Sequence, residues 1–251
     1  MRRDEVGLMF TLYAIAVVIA YTVKGLTGFA NTLVFSTIMS FSPAINIANI
    51  TPIELVLGTP SNIFIAVRER KGFRWRVVVP LAGLMVAGCI PGALFLKFGN
   101  PELIKMLFGV GVTLVGLQTL LTEKLNLKPN RVALCAIGII AGIMCGMYGI
   151  GALLVAYVTK TTKTPEEFRA NLCFVIILVD IFRTILYIST GIFTAEIFMW
   201  ALKLAPFMIV GMGVGTVLAK KIRADIVKKI IMVMLVLSGV SLMITNFLAL
   251  V

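Results

Sequence analysis

Apolar residues run along this chain in long blocks, interrupted only briefly by charged or turn-forming residues, and such blocks predict helices. Ten segments stand out: 6–23, 25–41, 48–67, 75–96 and 102–121, then 132–145, 146–158, 170–190, 197–219 and 226–248. A polar linker, EKLNLKPNR at 123–131, separates the two sets of five. Most segments approach the ~20 residues a helix needs to cross the hydrocarbon core of a bilayer. The reading is an all-α polytopic membrane protein. Arg2 and Arg3 ahead of the first block resemble the start of a signal peptide, but no small-residue cleavage site follows, so the first segment is expected to be retained.

The order of the blocks repeats. GLTGFANTLV at 25–34 aligns with GMYGIGALLV at 146–155, matching Gly25 to Gly146 and Gly28 to Gly149. PLAGLMVAGCIPGALF at 80–95 aligns with KLAPFMIVGMGVGTVL at 203–218, pairing Gly88 with Gly211 and Gly92 with Gly215. Two blocks in one order at offsets of 121 and 123 residues divide the chain into a first repeat at 1–122, the linker, and a second repeat at 132–251. In the second repeat the first two segments are too short to span separately, so a hairpin with its tip inside the membrane is expected. The tips are Lys24 to Asn31 and Cys145 to Ala152. Short, Gly-interrupted segments at equivalent places of two halves point to a transporter's midplane binding site.

Composition agrees with lipid as the main solvent: 60% of the 251 residues are hydrophobic and 14% charged, which excludes a soluble enzyme. The chain has no histidine, so imidazole metal sites, Ser-His-Asp triads and histidine proton relays are excluded. Its four cysteines (Cys89, Cys135, Cys145, Cys173) lie in apolar stretches without metal-type spacing; no cofactor or metal is expected. The net charge of +12 changes the picture only through its positions. With the N-terminus outside and the second half inverted, most basic residues fall in cytoplasmic loops: Arg68, Arg70, Lys71, Arg74, Arg76; Lys124, Lys128, Arg131; Lys160, Lys163, Arg169; Lys220, Lys221, Arg223, Lys228, Lys229. A parallel arrangement puts two of these clusters outside, against the positive-inside rule. Nucleic acid is therefore not the partner of this charge; the bilayer and its anionic head groups are.

Ionisable side chains left inside apolar segments need a reason, because each costs ~2.5–3.5 kcal/mol on insertion scales. Lys24 stands at the first tip. Asp180 and Arg183 lie three apart on one face of a single helix, either as a structural ion pair or as an anion grip in which Asp180 orients Arg183 or titrates with transport. At the repeat offset Arg183 falls on Asn62 and Asp180 on Thr59, so these polar patches are expected to face one cavity, with Ser61 adding a donor and Pro60 loosening the helix, unless Thr59, Ser61 and Asn62 serve only to join helices. Gly28 and Gly149 serve either close helix packing or tight turns that aim helix N-termini at an anion. Thr27, Asn31 and Tyr148 stand beside those amides. Glu54 is expected nearer the outer end of its helix, where a loop-facing structural role is favoured over ion coupling.

The stretches GLTGFANTLVFSTIMSF, TPSNIFIAVRERKGFRWRVVVPLAG and GMYGIGALLVAYVTKTTKTPEEFRANLCFVIILVDIFRTILYISTG resemble the TauE/SafE sulfite exporter family over essentially the whole chain. The family's tips usually read GxGG followed by a small residue or proline, with Asn three residues before the arginine. Here they read GFAN and GIGA, and Asp180 takes the asparagine's place. The resemblance implies a secondary transporter, usually an exporter, of small anions such as sulfite or organosulfonates in the plasma (inner) membrane of a bacterium or archaeon. Expected partners are thus a small anionic substrate and the bilayer; a proton or sodium ion as the coupling ion and a homodimer as the assembly stay open. So do an anion channel with the same lining and a thiol-handling protein built on Cys145.

Overall fold

The computed structural model describes residues 3–42, 47–121, 131–151, 154, 158, 161–221 and 224–250. The described residues are helical apart from short connections, and contain no strand. The helices are α1 (Arg3–Thr27), α2 (Asn31–Ser40), α3 (Ile47–Arg68), α4 (Trp75–Phe98), α5 (Pro101–Leu121), α6 (Arg131–Tyr148), α7 (Pro165–Ser189), α8 (Ala195–Leu218) and α9 (Ala224–Leu250). The linker 123–130 and most of the predicted segment 146–158 beyond Gly151 lie outside the described residues.

Seven of these helices, α1, α3, α4, α5, α7, α8 and α9, are long and apolar enough to cross a membrane. The protein is a multi-pass membrane protein. Side chains such as Ile185, Leu202, Ile209, Leu237 and Phe247 stand exposed around the outside, as a surface solvated by lipid requires. α2 is different. Its ten residues rise ~15 Å, half the thickness of the hydrocarbon core.

Local sequence explains the helix ends. Thr164 caps α7 by accepting from the Glu167 N–H at 3.2 Å, with Pro165 in the first turn, and Thr194 caps α8 through the Ile197 N–H at 3.3 Å. α3 runs on through Pro52 and Pro60. The predicted loosening at Pro60 does not interrupt the helix; the Thr59 and Ser61 hydroxyls donate to the Leu55 and Gly58 carbonyls around it. The first helix also runs further than its predicted end at 23, so that Lys24 and Cys145 lie in the last turns of α1 and α6, and the turns themselves begin at Gly28 and Gly149.

Glycines set the packing. α1 lies along α8, where Gly25 and Gly215 bring the two backbones together, and α6 lies along α4 through Gly88, Gly92, Gly142 and Gly146. Both pairs run parallel. In contrast, α3 and α7 cross antiparallel, with Thr59 at Asp180 and Glu54 near Arg183, and α5 and α9 are antiparallel through Gly109 and Gly239. α4 also runs beside α7 in the same direction: Arg74 at its start bonds Glu167, and Lys97 near its end bonds the Thr190 carbonyl.

Candidate functional site

α1 and α6 end alike. The Gly28 N–H donates back to the Lys24 carbonyl at 2.7 Å, and the Gly149 N–H to the Cys145 carbonyl at 2.8 Å. Each closes its helix as a left-handed cap, with φ of 85° at Gly28 and 73° at Gly149. An L side chain is strained there, which is why glycine recurs at both places. After Gly28 the chain turns through Ala30, also left-handed at φ 74°, and enters α2 at Asn31.

The two turns meet α3 at different heights. The Thr51 hydroxyl reaches the Met147 carbonyl at 3.3 Å, whereas Lys24 reaches α3 at Ser61 and Asn62. Ten residues of helix, ~15 Å, separate those contacts. Between them lies a cavity of about 50 Å³. At ~10–15 Å³ per water it admits a few waters or one small ion, far below the ~300 Å³ where drug-sized pockets begin.

Four charges gather here, all buried. The Lys24 ammonium donates to Ser61 Oγ at 2.6 Å and Asn62 Oδ1 at 2.8 Å. Thr59 Oγ1 stands 3.2 Å from Asp180 Oδ2. Asn31 Nδ2 donates to Glu54 Oε1 at 2.6 Å. Arg183 is 1% exposed, yet its carboxylate neighbours are distant: 3.7 Å to Asp180 and 3.9 Å to Glu54. Its closer bonds go to the Cys145 carbonyl and sulfur, at 3.2 and 3.4 Å, and its face lies over the Tyr187 ring. Among the described residues its Nε has no hydrogen-bond partner. A guanidinium desolvated this completely, with bonding capacity unspent, can take a further oxyanion.

Of the residues singled out from sequence, Lys24, Gly28, Asn31, Asn62, Gly149 and Asp180 line the cavity. The others stand off its wall. Ser61 and Thr59 hold Lys24 and Asp180 from behind. Thr27 bonds within its own turn, to the Val23 and Phe29 carbonyls. The Tyr148 hydroxyl donates to the Ile104 carbonyl of α5 at 2.7 Å, which fixes α6 against α5. Arg183 lies behind Glu54 and Gly149: a Cβ on Gly149 would sit 3.0 Å from its Nη1 and 3.2 Å from Glu54 Oε2.

Glu54 corrects the sequence reading. It faces no loop; it is 4% exposed and lines the cavity beside Asp180 and Lys24. The pattern carried one usable signal: Gly58, one turn further along α3, leaves the room that the carboxylate fills. With Glu54 included, two cations face two carboxylates, so the site is formally neutral.

The chain matches the family described as Sulfite exporter TauE/SafE over residues 13–242, nearly its full length. It belongs to the TauE/SafE sulfite exporter family. No curated protein and no solved structure matches it. Membership in this transporter family agrees with a buried polar centre enclosed by apolar helices, since intramembrane charge of this kind marks substrate and ion pathways.

Proposed function

We propose that the protein is a secondary transporter that exports small sulfur-containing anions, sulfite or organosulfonates, from the cytoplasm across a bacterial or archaeal plasma membrane. The observation that carries this is the cavity of about 50 Å³ between the two glycine turns, walled by Lys24, Asn62, Gly149 and the first turn of α2. The unpaired amides at the start of a helix, with its dipole, favour an anion. The Lys24 ammonium adds charge, and Arg183 adds a second cation behind the wall. A space of this size suits a compact anionic head group.

We read the repeats as inverted, with alternating access produced by the halves exchanging roles. Support comes from the helices that correspond at the repeat offset: α3 with α7 and α5 with α9 run antiparallel. Their equivalent partners also correspond, α1 on α8 as α6 on α4. On this reading the basic loops beside Arg70 and Arg169 are cytoplasmic.

The test is a flux panel in proteoliposomes with sulfite, thiosulfate, sulfoacetate, sulfate and a carboxylate. The expected result is saturable, trans-stimulated flux of one or more sulfur anions, reduced about a hundredfold in Lys24→Gln and Arg183→Gln, a loss of ~2.7 kcal/mol each. Unchanged flux in both variants would overturn the site; flux without trans-stimulation would make the protein a channel.

A further inference from the structure

Arg183 and the cavity are separated by a carboxylate. Glu54 lies between them: Oε2 is 3.9 Å from Arg183 Nη2, while Oε1 accepts from Asn31 at the start of α2. It is also among the groups nearest to Gly149, where a Cβ would meet it at 3.2 Å. One side chain thus touches both turns and the guanidinium at once. A carboxylate held by an amide donor and facing a guanidinium is the arrangement an incoming sulfonate or sulfite would need. Asp180 is placed otherwise. It lies 3.2 Å from Thr59 Oγ1 and three residues before Arg183 on the same helix, and it touches neither turn.

We propose that Glu54 is an internal stand-in for the transported anion. Substrate takes its place opposite Arg183, which Glu54 faces at 3.9 Å without a hydrogen bond, and the carboxylate so left without its counter-charge takes up one proton from solvent, so that a proton travels with each anion. The proposal rests on the transport reading above. The groups that face Glu54 account for the exchange. From α1 come Tyr21, buried beside Glu54 and Asn31, and Lys24, which is engaged by Ser61 and Asn62 of α3 and does not follow the carboxylate. Asn31 and Thr32 of α2 lie beside it as neutral donors. From α7 come Arg183 and Asp180, one charge of each sign. The proton enters from the side to which the cavity is open and leaves with the anion on the other.

Methanesulfonate suits the test because it does not titrate between about pH 6 and 8. The purified protein in weakly buffered detergent solution is mixed with it while a pH dye reports proton uptake. Wild type is expected to take up one proton per anion bound, and its affinity to fall about tenfold for each pH unit once Glu54 is ionised. Glu54→Gln keeps the shape and the Asn31 contact; it is expected to bind more tightly, take up no proton and show a flat pH profile. Wild-type binding without proton uptake overturns the proposal, independent of any variant, and so does uptake that survives in Glu54→Gln. Absence of wild-type flux for methanesulfonate and sulfite alike overturns the transport reading, and this proposal with it.

Discussion

At the scale of single residues, the two turns share a conformation but differ in what surrounds them. A methyl at Gly28 meets only the aliphatic part of Arg169, at 3.6 Å, whereas at Gly149 it meets Arg183, Glu54 and Thr32 within 3.2 Å. Gly28→Ala is therefore expected to lose the ~1–2 kcal/mol that a side chain pays for the left-handed region and little more. Gly149→Ala should lose at least as much stability and, by displacing Glu54 and Arg183, about tenfold or more in flux as well. Thermal melting in detergent beside proteoliposome flux separates these effects. Equal flux loss in the two variants would mean that the charges behind Gly149 do not matter. The two halves also place their cations differently around the turns: Lys24 of α1 donates to Asn62 of α3, while Arg183 of α7 donates to the carbonyl of Cys145 on α6.

At the scale of helices, association in lipid rests on close backbone approach, because apolar side chains gain nothing by leaving lipid for one another. A Cβ on Gly88 would overlap the Ile139 carbonyl, and one on Gly215 the Thr22 carbonyl, whereas Gly83 and Gly213 face open space. Gly88→Ala and Gly215→Ala are expected to lower the melting temperature and folded yield, at a cost of several kcal/mol for an overlap that the backbone cannot relieve. Gly83→Ala and Gly213→Ala should be neutral or stabilising by up to ~1 kcal/mol, the helix propensity difference. The same contrast explains what was legible in the sequence. Long apolar blocks gave the spanning helices within a few residues, and the glycine register linked α1 with α6 and α4 with α8. Lys24, Asp180 and Arg183 were visible because charge in an apolar run is conspicuous. Glu54 was equally conspicuous but was misplaced, because its depth depends on where α3 begins, after a connection whose length says little about membrane depth. The partner of Tyr148 was not legible: a hydroxyl beside a turn has several carbonyls within reach, and only the packing of α5 selects Ile104.

At the scale of the whole molecule, α4 and α7 give a ruler across the membrane, with Arg74 and Glu167 at one end and Lys97 and Thr190 at the other. In a variant with the four native cysteines replaced, Arg70→Cys is expected to react with a membrane-impermeant maleimide only from the cytoplasmic side, and Glu196→Cys only from outside. Labelling of both from one side would remove the proposed topology. The contact between Thr59 and Asp180 carries a different consequence. These residues are 121 apart, the repeat offset itself. In a pair of inverted halves, a position that touches its own counterpart lies on the axis relating them. On the inverted reading proposed above, two identical halves would set any residue at this place against itself, and a carboxylate would meet a second carboxylate in a medium that screens charge poorly. A threonine pair has no such conflict. On that reading an acid is tolerable at this place only because the halves differ there, with Asp180 opposite Thr59.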